Sequence, residues 1–270
     1  MGLQVEVMQK SIERRRGLGP EEFLEQFARP GIPVILEQVD EIERWPALAN
    51  WSLAYFRKHF GEIPVTLYRT GAPRQQFQAP LRDFLDQVER PVERRPWYLK
   101  HWTFAEACPE LLEDYAVPSF FADNWTERLG GDLRVDWRWI YIGGTGSGSE
   151  LHVDLLNSSA WNVVITGAKK WVFYHPDDGP KLYGGKPDAF APDLERYPLL
   201  AEATAYVGTT QPGELLFTPS LWWHQTQNVG SCIAITENFV NATNFEHVMA
   251  AVRQRYPDNH AAIAAALQCG

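Results

Sequence analysis

The stretch ELHVDLL at residues 150–156 is answered later in the chain by FTPSLWWHQTQN at residues 217–228. Apolar residues on alternate positions of the first stretch predict a strand. In an extended strand, residues two apart point to the same side, so His152 and Asp154 can grip one ion together. A third ligand then has to come from a distant strand folded over the first, and His224 is placed to supply it. Two histidines and one carboxylate on one face of an octahedral metal leave the opposite positions open, a donor set suited to non-haem Fe(II).

The chain holds 34 acidic residues and 7 histidines in 270 positions, so about one His-x-acid pair is expected by chance. A second copy exists, His175-Pro176-Asp177, inside HPDDGP. Pro176 cannot donate to a sheet ladder and the composition reads as a turn, so His175 and Asp177 are set aside. His224 alone would read as a core histidine beside Trp222 and Trp223. Next to an HxD strand it reads as a neutral imidazole ligand, with the paired tryptophans as a wall that keeps solvent away.

Around these segments the second half of the chain is built of strands and turns. VDWRWIYIGG, ELHVDLL, AWNVVIT, KKWVFYH, GELLFTP, WHQTQNV and SCIAITENF are β segments separated by Gly- and Pro-rich turns. They predict a mainly β fold, a double-stranded β-helix (jelly roll, cupin-like), over residues 135–243. Residues 1–134 carry N-terminal α/β elements: helices at 20–28, 51–61 and 80–90, and strands at 31–36, 63–69 and 96–102. Residues 244–270 return to helical patterning, interrupted by Pro257. In NFEHVMAAVRQRY, the residues Phe245, Val248, Met249, Val252 and Tyr256 form one stripe. That stripe either covers the barrel or meets a second chain as a homodimer.

Composition narrows the class. An apolar content of 45% and 11 tryptophans argue for a globular interior. The net charge of −9, with no basic run beyond Arg14-Arg15-Arg16, argues against a nucleic-acid partner. No apolar run reaches the ~18 residues of a membrane span, and the N-terminus lacks a signal-peptide core. Cys108, Cys232 and Cys269 are scattered and odd in number, which reads as reduced thiols and a cytoplasmic location.

Two further features carry chemistry. GGTGSG at 143–148 lacks the Lys-Ser/Thr of a phosphate loop and leads into a strand, so its glycines are read as a tight backbone turn at the mouth of a site. In KKWVFYH, alternation puts Lys169 on the side of Trp171 and Phe173, and Lys170 with Val172 and Tyr174. If the Trp/Phe side is interior, Lys169 is a buried cation in need of an anionic partner, for which a ligand carboxylate is the natural candidate. The bland alternative is a strand-start lysine that snorkels to water.

HVDLLNSSAWNVVITGAKKWVFYHP and FTPSLWWHQTQNVGSCIAITENFVNATNF resemble the two core blocks of Jumonji-C oxygenases, in the lysyl hydroxylase and arginine demethylase branch. The likeness runs from about Leu18 through Phe245 and includes LLEDYAVPSFFADN. It implies Fe(II) on His152, Asp154 and His224, with 2-oxoglutarate and O2 as cosubstrates. By position, the family's cosubstrate lysine falls on Lys169, its hydroxyl before the metal strand on Ser149, and its strand asparagine on Asn162. The threonine after the second histidine falls on Thr236, with Asn238 two residues on, and Tyr98 in PWYLKHW resembles a tyrosine that approaches the cosubstrate. Ser149 departs from the threonine of near relatives but keeps the hydroxyl. The long basic and serine-rich extensions of the nuclear enzyme are missing, which counts against histone, splicing-factor or RNA partners.

The resemblance implies hydroxylation of an amino-acid side chain in a protein or peptide, with succinate and CO2 as coproducts. Hydroxylation of a small molecule or peptide natural product stays open, because substrate contacts lie outside the motifs; so does subsequent N-methyl removal. A cupin working without 2-oxoglutarate favours a glutamate in place of Asp154, and a non-catalytic metal-binding cupin has no use for Lys169.

Overall fold

A computed structural model describes residues 6–89, 96–133 and 135–268. Arg90, at the end of the third expected helix, and Cys269 lie outside the described residues. Among the described residues, eleven strands make one sheet. They are β1 (Met8–Ser11), β2 (Glu13–Arg16), β3 (Val34–Glu37), β4 (Pro64–Arg69), β5 (Ala72–Pro80) and β6 (Trp97–Trp102). The remainder are β7 (Arg138–Gly143), β8 (Ser159–Tyr174), β9 (Thr204–Thr210), β10 (Leu215–Thr218) and β11 (Trp223–Phe239). The order β2-β3-β10-β8-β11-β7-β6-β4-β5, with β9 on β8 and β1 on β9, gives the mainly β fold of jelly-roll type expected from the sequence. No helix among the described residues is long and apolar enough to cross a membrane.

Two long bent strands organise the barrel. AWNVVIT and KKWVFYH, expected as separate strands, are one strand, β8, and WHQTQNV and SCIAITENF are likewise one strand, β11. The joint in β8 is Gly167, at φ 69. A side chain there would bring its Cβ to 2.7 Å from the Ser231 carbonyl oxygen, so only glycine lets the two backbones close at the bend. The chain therefore kinks without reversing, and the β8–β11 register shifts between Val229 and Ile233. As a result β8 pairs with β10 through residues 160–163 and with β9 through residues 169–174.

The ELHVDLL stretch departs from the expected strand. Only His152 is bridged, to His224, and Asp154 leads into a short 3-10 turn at Leu155–Asn157. Residues 146–152 instead lie along β11 as an irregular ribbon. Gly146 N–H donates to Asn228 O at 2.9 Å, Asn228 N–H to Ser147 O at 2.7 Å and Thr226 N–H to Ser149 O at 3.1 Å. His152 and His224 then exchange main-chain hydrogen bonds at 3.0 and 2.8 Å. Gly-Thr-Gly-Ser-Gly offers only two small polar side chains to pack on a regular ladder, and the left-handed Leu156 (φ 51) and Asn157 (φ 56) end the segment.

β1, β2, β5 and β9 carry no alternation that sequence reading could catch, since MQKS and ERRR are mostly exposed and β5 is polar. The expected helices form at Pro20–Phe23 with a following π turn, at Leu53–Phe60 and at Leu81–Glu89. Their apolar faces and the barrel strands share a single core that runs from Phe23 to Phe239. Within it Phe121, from LLEDYAVPSFFADN, lies 6.2 Å from both Trp161 and Phe217 and 5.2 Å from Phe239. The C-terminal helices are Phe245–Arg255 and His260–Gln268, broken at Pro257. Val248, Met249 and Val252 of the apolar stripe are buried against Leu129, Val240 and Leu267, and Tyr256 is exposed.

The ribbon at 146–152 yields a stability prediction. A Cβ on Gly148 would sit 1.9 Å from the Thr226 carbonyl oxygen. Gly148→Ala is expected to push the ribbon off β11 and cost about 1–3 kcal/mol in urea unfolding. Unchanged stability would show that the ribbon is not pinned there.

Candidate metal and cosubstrate site

The bridge between His152 and His224 sets the site, because it puts both rings on one side of the ribbon, with centroids 4.3 Å apart. Asp154 Oδ1 lies 3.8 Å from His152 Nε2 and 3.9 Å from His224 Nε2. Among the described residues this is the group of His, Cys, Asp and Glu side chains that could hold one ion, its donor atoms within 4.8 Å of one another. The turn at Leu155–Asn157 brings the Asp154 carboxylate round, rather than strand alternation.

The ring nitrogens are already sorted. His152 Nδ1 contacts the Glu150 carbonyl oxygen at 2.7 Å, and His224 Nδ1 contacts the Trp222 carbonyl oxygen at 3.2 Å. A carbonyl only accepts, so each Nδ1 carries the proton and each Nε2 lone pair faces Asp154. Burial, and then the neighbouring His152, push the His224 pKa down to about 4, so its imidazole is neutral at ordinary pH. Asp154 Oδ2 is buried with no hydrogen-bond partner. The His152 side chain is 41% exposed against 6% for His224, so the open side of the cluster is at His152.

The wall against His224 differs from the expected one. Phe173 stacks on its ring at 5.2 Å and Trp171 lies at 6.2 Å, both from β8. Trp222 instead packs with Phe173 and Tyr206 and donates its indole N–H to Gly31 O at 2.8 Å. Trp223 turns outward toward Tyr174 and Leu182. The second HxD is a turn: His175 Nδ1 caps the following 3-10 segment by accepting from Asp177 N–H at 3.2 Å.

Lys169 is buried at 1% exposure, and Lys170 on the opposite face is exposed. The Lys169 ammonium lies 3.4 Å from the Tyr98 hydroxyl and 5.2 and 5.6 Å from the Tyr141 and Trp171 ring centres. Burial holds its pKa below the usual lysine range, and no carboxylate among the described residues pairs with it. Asn162 lies seven positions before Lys169, on the opposite face of an unbroken strand. The register shift at Ile165, where Thr166 pairs with Ile233 but Val164 with the next residue, Ala234, reverses the phase: Trp161, Val163 and Ile165 enter the outer core, while Val164 joins Cys232 and Ala234 inside the barrel. Asn162 thereby shares the inner face, and its Oδ1 is buried without a partner.

The other candidates are largely engaged. Thr236 Oγ1 donates to Trp161 O at 2.6 Å and Asn238 Nδ2 to Ser158 Oγ at 2.8 Å, so both brace the wall. Ser149 N–H donates to Thr226 Oγ1 at 3.0 Å. Sequence reading missed Asn228 and Tyr141. Asn228 lies opposite Lys169, donates to Ser147 Oγ at 2.9 Å and keeps its Oδ1 buried and unpartnered. Its spacing of four from His224 puts it on the same strand face, a signal that was available; Tyr141 needed the β7–β11 register. The glycine segment packs tightly, since a Cβ on Gly143 would meet Ser147 Oγ at 2.2 Å and Tyr98 Cδ2 at 2.7 Å.

On the other face of β11, between Thr236 and Asn238, Glu237 is 5% exposed and accepts from Asn124 Nδ2 at 2.9 Å. Its second oxygen has no partner, and burial raises its pKa from 4.5 to about 7. The unfolded chain releases this proton above pH 4.5 while the folded one keeps it to about pH 7, so the folded state loses stability as pH rises through that window. Glu237→Gln is expected to be the more stable protein at pH 8, by about 3 kcal/mol, with the gap closing toward pH 4.5. Denaturant midpoints measured across this range check it; a constant gap overturns it.

The cupin-like domain family matches residues 20–245. The arginine-specific demethylase JMJ22 of Arabidopsis thaliana is 34% identical over 257 residues, covering 88% of this chain and 48% of the relative. The bifunctional arginine demethylase and lysyl-hydroxylase psr-1 of Caenorhabditis briggsae is 30% identical over 246 residues, covering 84% and 61%. The 2-oxoglutarate and iron-dependent oxygenase JMJD4 of Mus musculus is 27% identical over 257 residues, covering 84% and 60%. The chain thus spans only 48–61% of the length of these three relatives. On the extent of the family match and the identity of these relatives, the chain belongs to the cupin-like domain family, in its Jumonji-C branch.

Proposed function

We propose that the protein is an Fe(II)- and 2-oxoglutarate-dependent oxygenase that hydroxylates an amino-acid side chain of a protein or peptide, with succinate and CO2 as coproducts. The observation that carries this reading is Lys169. A His–Asp–His cluster fits any metal cupin, but a fully buried ammonium with no carboxylate partner among the described residues calls for an anionic ligand in the same barrel. A dicarboxylate that chelates the metal at one end meets Lys169 with the other. The relatives named as arginine demethylases, a lysyl-hydroxylase and a 2-oxoglutarate and iron-dependent oxygenase support the same class.

The residues divide the work. His152, Asp154 and His224 would hold the iron, with Asp154 Oδ2 otherwise buried without a partner. When bound, the iron supplies the redox chemistry that joins O2 reduction to substrate oxidation. Lys169 and the Tyr98 hydroxyl would take the far carboxylate, and Asn162 and Asn228 supply the buried amides on that face. Ser149 lies on the ribbon at the rim, while Thr236 and Asn238 brace the wall. Phe173 and Trp171 exclude water from the His224 side, leaving approach from the His152 side.

A polar groove of about 1100 Å³ runs beside the ribbon, lined by Arg69, Gly71, Gln75, Glu150, Lys186 and Gln225 among others. It borders the ribbon that carries His152 and is lined by both charged and amide side chains, which suits the polar backbone of a polypeptide substrate. Cys108 and Cys232 are buried, unpaired thiols, in keeping with a cytoplasmic enzyme. A homodimer through the C-terminal helices would have to use exposed Tyr256, since Val248, Met249 and Val252 are buried within the chain. Light scattering that finds a dimer in the wild type and a monomer in Tyr256→Glu supports it; a wild-type monomer at micromolar concentration ends it.

The activity is tested by incubating iron-loaded protein with 2-oxoglutarate, a cell lysate and isotopically heavy O2. A labelled residue in a lysate peptide supports the reading, and absence of succinate under every condition overturns it. Calorimetry on a variant set tests the site. His152→Ala and Asp154→Ala are expected to lose metal binding, and His175→Ala to keep it. Lys169→Ala leaves a buried ligand carboxylate unpaired, costing about 3–5 kcal/mol, or two to three orders of magnitude in 2-oxoglutarate affinity, while sparing the metal. Lys170→Ala is expected to change little, and the reverse ranking of the two lysines would overturn the cosubstrate assignment.

A further inference from the structure

Each histidine of the cluster takes its orientation from the main-chain carbonyl two residues before it, and each of those carbonyls belongs to a residue pinned elsewhere. Trp222, whose carbonyl oxygen contacts His224 Nδ1, is held by its indole N–H on Gly31 O at 2.8 Å. Glu150, whose carbonyl oxygen contacts His152 Nδ1 at 2.7 Å, is held by its carboxylate. One carboxylate oxygen accepts from Gly71 N–H at 2.8 Å and the other from Lys100 Nζ at 3.1 Å. Lys100 is itself 8% exposed and sits over the Tyr68 ring at 5.5 Å. The β4–β5 turn, β6 and the metal-bearing ribbon thus meet on one side chain.

The two anchors are not equally needed. His224 is stacked on Phe173 and almost wholly buried, so packing alone restrains its ring. His152 has a side chain 41% exposed and lies at the end of a ribbon rich in glycine, with Gly146 at φ 83. Little besides the Glu150 carbonyl and the bridge to His224 fixes it. Glu150 and Gly71 also line the same polar groove, so the link between them crosses from the groove wall to the ribbon.

We propose that Glu150 is a positioning residue: its carboxylate ties the groove wall at Gly71 and Lys100 to the ribbon, and its carbonyl thereby fixes the ring of His152 for the metal. This rests on the oxygenase reading above. The carboxylate does not join the candidate ligand group, and each of its oxygens is engaged by a group of the groove wall, which gives it a mechanical role. Orienting groups of this kind are worth about 10–100-fold in metal affinity.

The test uses the full chain loaded with Co(II), whose paramagnetism shifts the Nδ1–H proton signals of bound histidines away from the rest of the spectrum. The wild type is expected to show two such exchangeable signals. In Glu150→Ala, one of them, that of His152, should move or vanish by exchange with water while that of His224 stays. Co(II) affinity should fall about 10–100-fold. Glu150→Gln, which keeps an acceptor for Gly71 N–H and cannot disturb folding by cavity formation, should retain both signals with a smaller loss. Lys100→Met, which like Glu150→Gln leaves the Gly71 hydrogen bond in place, should show the same smaller loss with both signals retained. Two unmoved signals and unchanged Co(II) affinity in Glu150→Ala would overturn this inference alone. A wild type that binds no Co(II) would overturn the oxygenase reading and this inference with it.

Discussion

The two main-chain hydrogen bonds that His152 and His224 exchange are the constraint on which the site depends. They are the last rung between a ribbon too rich in glycine to form a ladder of its own and a strand held along its full length by β8. Every other rung, from Gly146 on Asn228 to Ser149 on Thr226, sets the register so that this one falls on the two histidines. A slip of one residue would turn one ring to the opposite face and part the pair. The close approach at Gly148, where a methyl group has no room against Thr226, shows how the register is enforced: by sterics on the backbone, not by side-chain packing.

The same barrel interior contains a second imbalance that packing cannot explain. Burying an ammonium without a paired anion costs several kcal/mol, and hydrophobic folding would select against it. The Lys169 ammonium has a tyrosine hydroxyl at 3.4 Å and two ring faces, which soften the cost without cancelling it. Around it, unpartnered amide oxygens of Asn162 and Asn228 add unmet hydrogen-bonding capacity. Unpaired polar groups inside one barrel are what the proposed dicarboxylate would satisfy, and by mass action its binding would raise the stability of the fold.

Much of this was legible in the chain, for reasons that differ by residue. Lys169 could be assigned to the inner face because Lys-Lys-Trp-Val-Phe-Tyr alternates cleanly, and period-two geometry is local. His152, Asp154 and His224 were legible as a donor set, although the strand imagined for the first two is a single bridge and a turn. Asn162 shows where periodicity fails. Counting by two from Lys169 puts it outside, and only the register shift at Ile165, set by the pairing of β8 with Ile233 and Ala234 far along the chain, returns it inside. The edge strands β1, β2 and β5 were illegible because their partners, not their own patterns, make them strands. The wall of Phe173 and Trp171 was mistaken for the neighbouring tryptophans because sequence adjacency to His224 says nothing of the cross-strand partner, which is Phe173.

The asymmetry between the histidines connects the fold to access. His224 comes from the middle of the molecule, on a strand flanked by β8, with Phe173 over its ring. His152 comes from the rim, on a ribbon that borders the groove. A candidate metal site that is to stay open on one side must leave one of its donors exposed, and an exposed donor loses the restraint that burial supplies. The restraint then has to be supplied by hydrogen bonds from groups that do not block the opening. A carboxylate gripped from the groove wall meets that requirement, because it holds the backbone behind the ring and leaves the face of the ring free. The opening and the anchoring of His152, the exposed member of the candidate donor group, are therefore one structural problem, and in this chain they meet at the ribbon residues between Gly148 and His152.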